Sequence, residues 1–169
     1  VQRLLRACDR GSTTGRRDYA VLLLLARLGL RASEVVQMML DDIDWDAGEL
    51  VVHGKGRRHD RLPIPTDVGD ALVEYLRRDR PRCTSRRVFI CTRAPRRGFA
   101  GPVAISTIVR RAIDRVGLRT PTKGAHLLRH SLATDLLRRG ASLSEIGELL
   151  RHRSPDTTLL YAKVDLGSL

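Results

Sequence analysis

Aromatic residues are scarce in this 169-residue chain, where they make up 4% of the sequence and include one tryptophan. Proteins that lie on a membrane surface normally expose aromatic side chains on a basic helix, so the composition argues against that class. The three cysteines form no Cys-x-x-Cys pair, which predicts neither a disulfide framework nor a zinc site and indicates a reducing compartment. The apolar run Val21–Ala26 ends at Arg27 and is too short to cross a bilayer.

Positive charge is abundant, since the chain carries 31 lysines and arginines against 19 acidic residues and has a formal net charge of +12. Only three of the basic residues are lysines, namely Lys55, Lys123 and Lys163. Hydrophobic residues make up 42% of the chain, which is enough to form a core. A folded domain of this charge is expected to bind a polyanion, with nucleic acid as the first candidate and an anionic membrane surface as the second.

The sequence pattern predicts a single domain over residues 1–169 of the α+β class, mostly α, with a small three-stranded antiparallel sheet. Turn signals and alternating apolar residues predict the strands at residues 43–45, 49–53 and 60–64. Thr14 and Ser142 are the predicted N-caps of two helices, and Gly29 is predicted to end the first of these. Helices are predicted over residues 1–8, 15–28, 32–39, 66–78, 106–116, 124–138, 143–150 and 154–162.

Arg31 follows the predicted end of one helix and stands at the start of the next, three residues before Glu34. Backbone N–H groups at a helix start favour anions, and an arginine there can form a forked pair with a phosphate. The alternative is a surface arginine that caps the loop, with Glu34 as its capping partner. The motif alone leaves both interpretations open.

Lys55 lies between two glycines at the tip of a predicted hairpin. A lysine can donate a proton in catalysis, whereas an arginine holds its proton at every accessible pH. In a chain that otherwise uses arginine, a general-acid role would explain this lysine. The alternative is a basic turn that contacts phosphate without specificity.

His126 and Arg129 are three residues apart in a predicted helix, which places them on one face. His130 follows His126 by four residues, a spacing that can bind zinc. No third ligand or helix-borne glutamate accompanies the pair, so a zinc site is not expected.

His152 follows a predicted helix, and Tyr161 lies nine residues further on. Tyr161 is one of three tyrosines, and the other two, Tyr19 and Tyr75, fall in apolar helical patterns that predict the core. A tyrosine hydroxyl can act as a nucleophile, but Tyr161 taken alone is better interpreted as a core tyrosine with a hydrated hydroxyl.

Asp42, Asp44 and Asp46 alternate before Gly48 in a near-match to a calcium-binding loop. The glycine comes one position late, and His53 occupies the place of the usual glutamate. We therefore expect these aspartates to be solvent-facing residues of a strand and turn, without a metal.

Together these residues carry a resemblance that none of them carries alone. The segments 29–65, 126–140 and 146–161 resemble the catalytic domain of tyrosine recombinases, the phage integrase family, over nearly the whole chain. Relatives usually carry an N-terminal DNA-binding domain that this sequence is expected to lack. One departure is Arg151, where the family often has glycine, and we expect it to crowd the backbone or add a DNA contact. The positions that match the family's active site are Arg31, Lys55, His126, Arg129, His152 and Tyr161.

The resemblance implies strand cleavage in which Tyr161 attacks a DNA phosphate and forms a 3′-phosphotyrosyl bond. Arg31 and Arg129 would stabilise the charged phosphate, His126 would accept the tyrosine proton or hold a phosphate oxygen, and Lys55 would protonate the departing 5′-oxygen. Neither metal nor ATP would be needed.

His152 would donate a hydrogen bond to a non-bridging phosphate oxygen, and Glu34 would orient Arg31. The resemblance further implies double-stranded DNA as partner, a monomer that forms a tetramer on the DNA synapse, no membrane contact, and action on the bacterial nucleoid in the cytoplasm. A catalytically silent DNA-binding module is the alternative from another functional class. The arginines expected to grip the DNA backbone are Arg57, Arg58, Arg96, Arg97 and Arg153.

Overall fold

A computed structural model describes residues 1–54, 59–120 and 123–151 of the chain. Across these residues it contains helices and one three-stranded antiparallel sheet, which confirms the predicted α+β, mostly α, class. None of the described helices is both long and apolar enough to span a membrane. The α-helices are α1 (Gln2–Arg6), α2 (Thr13–Arg27), α3 (Ala32–Gln37), α4 (Thr66–Arg78), α5 (Pro102–Arg115), α6 (Ala125–Arg138) and α7 (Leu143–Leu149). The strands are β1 (Ile43–Asp44), β2 (Glu49–His53) and β3 (His59–Pro63).

Helix α2 is the central element of the core. Its residues Ala20–Leu25 are at most 1% exposed, because α1, α3, α4, α5 and α6 all pack around it. A helix that is apolar on every side needs such a surrounding layer. The helix begins at Thr13, two residues before the predicted start at residue 15, so Thr14 is not its cap. Ser12 is the N-cap instead, because its extended backbone lets its hydroxyl accept a hydrogen bond from Gly15 N at 3.1 Å.

The sheet lies beside α3 and has the strand order β1-β2-β3. Leu50 on β2 pairs with Ile43 on β1 and with Leu62 on β3. Leu50 and Val52 are buried, whereas His53 at the end of the same strand is exposed. The sheet therefore turns one face of β2 toward the core, as alternation along a strand predicts.

Helix α5 begins at Pro102, four residues before the predicted start at residue 106. Gly101 is its N-cap, and proline suits the first position of a helix because it lacks the N–H that would be unpaired there. The earlier start adds a helical turn whose residues Pro102 and Ser106 reach the candidate site.

Helix α7 packs on α6 through a small cluster separate from the main core. Ala133, Ile146 and Leu150 are fully buried in it, and Leu132 and Leu136 pack against them. The predicted cap of α7 is confirmed: Ser142 Oγ accepts a hydrogen bond from Glu145 N, while Ser142 N donates to Glu145 Oε2 at 2.7 Å. The C-terminal end of α7 is thereby brought to the corner between α2 and α3.

Candidate active site

The corner between α2 and α3 is built around Gly29. Its φ of +57° lies in the left-handed region, which glycine adopts without steric cost. A Cβ at this position would lie 2.5 Å from Leu150 Cδ2, at the end of α7. Glycine at this corner therefore lets α7 approach closely enough to share the site.

Arg31 is the N-cap residue of α3 and is held there by Glu34. The backbone N–H of Arg31 donates to Glu34 Oε2 at 2.7 Å, and its Nη1 donates to Glu34 Oε1 at 2.8 Å. The Glu34 side chain is 6% exposed, whereas that of Arg31 is 42% exposed. The carboxylate thus fixes the inner side of the guanidinium and leaves its outer side open to solvent.

Arg129 on α6 is a buried arginine, 3% exposed. Its Nη1 donates to the Gly29 carbonyl and its Nη2 to the Leu150 carbonyl. Arg31 Nη2 donates in a parallel manner to the Arg151 carbonyl at 3.0 Å. The two arginines therefore bind consecutive carbonyl groups at the end of α7, immediately before the segment that contains His152 in the sequence.

His126 lies in the first turn of α6, one turn before Arg129. Its ring meets that of His130 edge to face, with centroids 4.1 Å apart. The pKa of His126 is lowered from its ordinary value of 6.5, first because surrounding protein removes water from the ring, and then because the charges of Arg129 and Arg31 disfavour a second proton. His126 is therefore a neutral imidazole at neutral pH and can accept a proton.

Arg31, His126 and Arg129 line one open cavity of about 320 Å³. The starts of α5 and α6 both border it, and neither has a side-chain cap that would occupy its backbone N–H groups. Cationic side chains beside the starts of two helices favour an anionic ligand. The remaining lining residues are Leu30, Ala32, Ser33, Pro102, Ser106 and Ala125.

The lining contributed by α5 was missed by sequence reasoning, which started this helix four residues too late. The signal was present in Gly101 followed by Pro102, a pairing typical of a helix N-cap and first position. Ser106, predicted as the opening residue of the helix, lies instead one turn inside it and lines the cavity.

Glu34, Arg96 and Arg97 are the other predicted site residues within 1–54, 59–120 and 123–151, and they do not line this cavity. Arg96 and Arg97 are exposed on the loop before α5. Six predicted residues lie outside the described residues, so their placement is not stated: Lys55, Arg57, Arg58, His152, Arg153 and Tyr161.

Asp42 corrects the prediction that the alternating aspartates all face solvent. It is 7% exposed, accepts a hydrogen bond from Met39 N at 2.8 Å and pairs with His53 Nε2 at 2.5 Å. The carboxylate is turned inward because it pairs with an N–H group at a short 3-10 helix and with the adjacent strand. In residues 1–54, 59–120 and 123–151 no three His, Cys, Asp or Glu side chains cluster as metal ligands would.

Arg151 directly follows the end of α7 and has a φ of +53°, in the left-handed region. The expected crowding of the backbone is thus present, because this conformation brings Cβ close to the following carbonyl. The side chain does not extend toward a ligand in solvent. It is 9% exposed and donates from Nη2 to Glu34 Oε2 at 3.0 Å.

Comparison with known proteins agrees with this geometry. A family model described as "Phage integrase family" matches residues 1–166. The chain is 57% identical over its whole length to y4rA of Sinorhizobium fredii, whose name describes an integrase/recombinase, and covers 41% of that protein. It is 33% identical over 170 residues to the tyrosine recombinase XerC of Oceanobacillus iheyensis, covering 97% of this chain and 54% of XerC.

Among solved structures, that of the XerA recombinase superposes with a TM-score of 0.80 at 28% identity. The match covers 95% of this chain and 56% of XerA. The fold is therefore that of tyrosine recombinases, and the chain spans about half the length of the relatives that it matches.

Proposed function

The chain belongs to the phage integrase family, and from this we propose that it cleaves and rejoins DNA strands through a covalent bond between Tyr161 and a DNA phosphate. The observation that carries the proposal is the cavity where Arg31, His126 and Arg129 meet. Two guanidinium groups and a neutral imidazole suit a phosphodiester that gains negative charge under nucleophilic attack. The similarity to the tyrosine recombinase XerC supports the same chemistry.

In the proposed reaction the Tyr161 oxygen forms a bond to phosphorus, and the bond from phosphorus to the 5′-oxygen breaks. His126 accepts the tyrosine proton or holds a phosphate oxygen, and Lys55 gives a proton to the departing 5′-oxygen. Arg31 and Arg129 stabilise the added negative charge with their guanidinium groups. One phosphoester bond replaces another, so a 5′-hydroxyl can later reverse the step without ATP.

Two further residues complete the proposed site. Glu34 orients Arg31, a role supported by its two hydrogen bonds to that residue. His152 donates to a non-bridging oxygen of the phosphate, and this role rests on the family resemblance alone, as do those of Lys55 and Tyr161. Side chains supply all the positive charge in this scheme, so it uses no metal ion.

Double-stranded DNA is the proposed partner. The net charge of +12 supports it, and Arg57, Arg58, Arg96, Arg97 and Arg153 are candidates for contacts with the backbone phosphates. Assembly of four copies on paired DNA sites and action on the bacterial nucleoid in the cytoplasm stay predictions from the resemblance.

Covalent trapping tests the proposed function. The protein is incubated with labelled DNA from its genomic neighbourhood, including nicked duplexes from which the attacking 5′-hydroxyl is lost after cleavage. We expect an adduct that survives SDS, persists in EDTA and is lost in Tyr161→Phe. Because that variant retains every charge, its DNA affinity should match that of the unchanged protein.

Salt-sensitive DNA binding without an adduct would contradict the proposal. It would favour the silent DNA-binding module. Strand cleavage that requires a divalent cation and leaves no adduct would instead indicate a metal-dependent nuclease.

A further inference from the structure

Arg151 combines a strained backbone conformation with a buried side chain that is hydrogen-bonded to Glu34. A positive φ is uncommon for a residue other than glycine, asparagine or aspartate, and persists only where surrounding contacts enforce it. The side chain is 9% exposed, and its Nε is buried without a hydrogen-bond partner in the described part of the chain. Asp60 Oδ2 lies 3.9 Å from that nitrogen. The conformation thus brings a long cation into the interior.

Arg151 contacts Arg31 both directly and through Glu34. Its carbonyl accepts a hydrogen bond from Arg31 Nη2 at 3.0 Å. Its Nη2 donates to Glu34 Oε2, the same oxygen that accepts the Arg31 backbone N–H. Glu34 Oε1 in turn accepts from Arg31 Nη1. The residue therefore fixes both the guanidinium of Arg31 and the carboxylate that orients it.

The charges around Glu34 also link Arg151 to Arg31 and the cavity. Glu34 is buried and shared between the guanidinium groups of Arg31 and Arg151, whereas Asp60, the second carboxylate beside Arg151, is 3.9 Å away and 43% exposed. A single Arg31–Glu34 pair would cancel much of the charge that Arg31 presents to the cavity. Sharing the carboxylate leaves positive charge in excess beside the cavity, where it attracts an anion.

We propose that Arg151 is a positioning residue that holds Arg31 through Glu34 and strengthens phosphate binding in the cavity. The inference deepens the proposed function and rests on it for the identity of the natural ligand. Arg151 itself does not line the cavity, so it acts on the phosphate through its neighbours and through its charge.

Two variants of Arg151 distinguish the proposed role from a purely structural one, in which Arg151 only links α7 to α3. Arg151→Met keeps a long unbranched side chain and the same backbone strain, but it loses the charge and the donor. Arg151→Lys keeps the strain and the charge. Arg78→Met is the matched control, because Arg78 is 70% exposed on α4 and pairs only at 3.6 Å with Glu74.

The first measurement is the affinity for inorganic phosphate at constant ionic strength, read from the NMR signals of the His126 ring. We expect Arg151→Met to bind phosphate about tenfold more weakly than the unchanged protein. Arg151→Lys should recover most of the loss, and Arg78→Met should bind as the unchanged protein does. If Arg151→Met unfolds, Arg151→Gly takes its place, since glycine adopts this φ without strain.

The second measurement is the rate of adduct formation on nicked DNA at saturating protein. The rate should fall roughly tenfold to a hundredfold in Arg151→Met, because the phosphate and Arg31 are no longer aligned. The DNA affinity should change less than about twofold, since many other phosphate contacts supply it.

Unchanged phosphate affinity in Arg151→Met would overturn the inference, and so would an Arg151→Lys variant as weak as Arg151→Met. The two proposals fail separately in this design. If Arg151→Met weakens phosphate binding as expected but the unchanged protein forms no adduct, the proposed function alone is contradicted. Adduct formation that is equally fast in Arg151→Met, with equal phosphate affinity, would contradict the role of Arg151 alone.

Discussion

Arg31 and Arg129 have the same functional group but different surroundings. Arg129 is 3% exposed, and two of its nitrogens bind backbone carbonyls. The Arg31 side chain is 42% exposed and faces a carboxylate on its inner side only. Arg129 therefore contributes to the stability of the fold as well as to the candidate site, whereas Arg31 belongs mainly to the site.

This difference predicts unequal losses of stability. Arg129→Ala leaves the Gly29 and Leu150 carbonyls without their charged donors, which should lower the free energy of unfolding by about 3 kcal/mol or more. Arg31→Ala should cost about 1 kcal/mol, since Glu34 keeps Arg151 as a partner. Both variants should slow adduct formation by roughly 10²-fold or more. If the two variants unfold in urea with the same free energy of unfolding, Arg129 contributes no more to stability than Arg31 does.

The lowered pKa of His126 predicts a pH dependence of stability. The unfolded chain takes up a proton as the pH falls below about 6.5, whereas folded His126 stays neutral until a lower pH. Stability should therefore be highest above pH 6.5 and fall as the pH drops toward the folded pKa. His130 contributes in the same direction, because burial and then His126 lower its pKa too.

The test is urea unfolding from pH 5 to pH 8. The variant His126→Asn with His130→Asn should show a shallower loss of stability on the acid side than the unchanged protein. NMR titration of the His126 ring should give a midpoint below 6.5. A midpoint above 6.5 would mean that Arg129 and Arg31 do not act on the ring in the way described.

At the residue scale the sequence pointed to three residues that meet at one cavity, but it did not predict their environments. Arg31, His126 and Arg129 meet at one cavity, as their matches to the family motifs led us to expect. The burial of Arg129 could not be read from the sequence, because its carbonyl partners on Gly29 and Leu150 are 100 and 21 residues away. In a chain so rich in arginine, spacing alone does not separate buried guanidinium groups from exposed ones.

Helix α7 is short, and its docking depends on a cluster apart from the main core. Ile146 is fully buried against Ala133 and Leu150, and the carbonyls that follow this helix bind the two arginines. Loosening this cluster should therefore disturb the site more than an equal change elsewhere.

Ile146→Val and Ile113→Val remove the same methylene group from fully buried positions. Each should lower the free energy of unfolding by about 1 kcal/mol. Adduct formation should slow in Ile146→Val and stay unchanged in Ile113→Val, which lies in the second half of α5. Urea unfolding and single-turnover trapping measure the two effects, and equal rates in both variants would show that α7 does not position the arginines.

Elements with strong local signals were predicted well. The limits of α4 agree with the prediction at both ends, and Ser142 caps α7 as expected. The start of α5 was placed late because the apolar pattern of that helix begins inside its first turn. The burial of Asp42 was missed because its partner His53 lies on a different element, which only the folded sheet brings near.

On the scale of the whole molecule, the net charge of +12 predicts how DNA binding responds to salt. Each phosphate neutralised by a lysine or arginine releases counterions, so the logarithm of the association constant should fall linearly with the logarithm of salt concentration. With roughly 6–10 such contacts, affinity should drop about 10³–10⁵-fold between 50 and 200 mM salt. Fluorescence anisotropy with short duplexes measures the slope, and a flat response would contradict binding through the phosphate backbone.

The most direct test of the account is to identify the residue that carries the DNA. An adduct trapped on nicked DNA is digested with nuclease and trypsin, and the peptide 154–163 is examined by mass spectrometry. We predict one nucleotide attached through its 3′-phosphate to Tyr161, with a free 5′-hydroxyl on the released strand. A nucleotide on another residue, or attachment through a 5′-phosphate, would contradict the account.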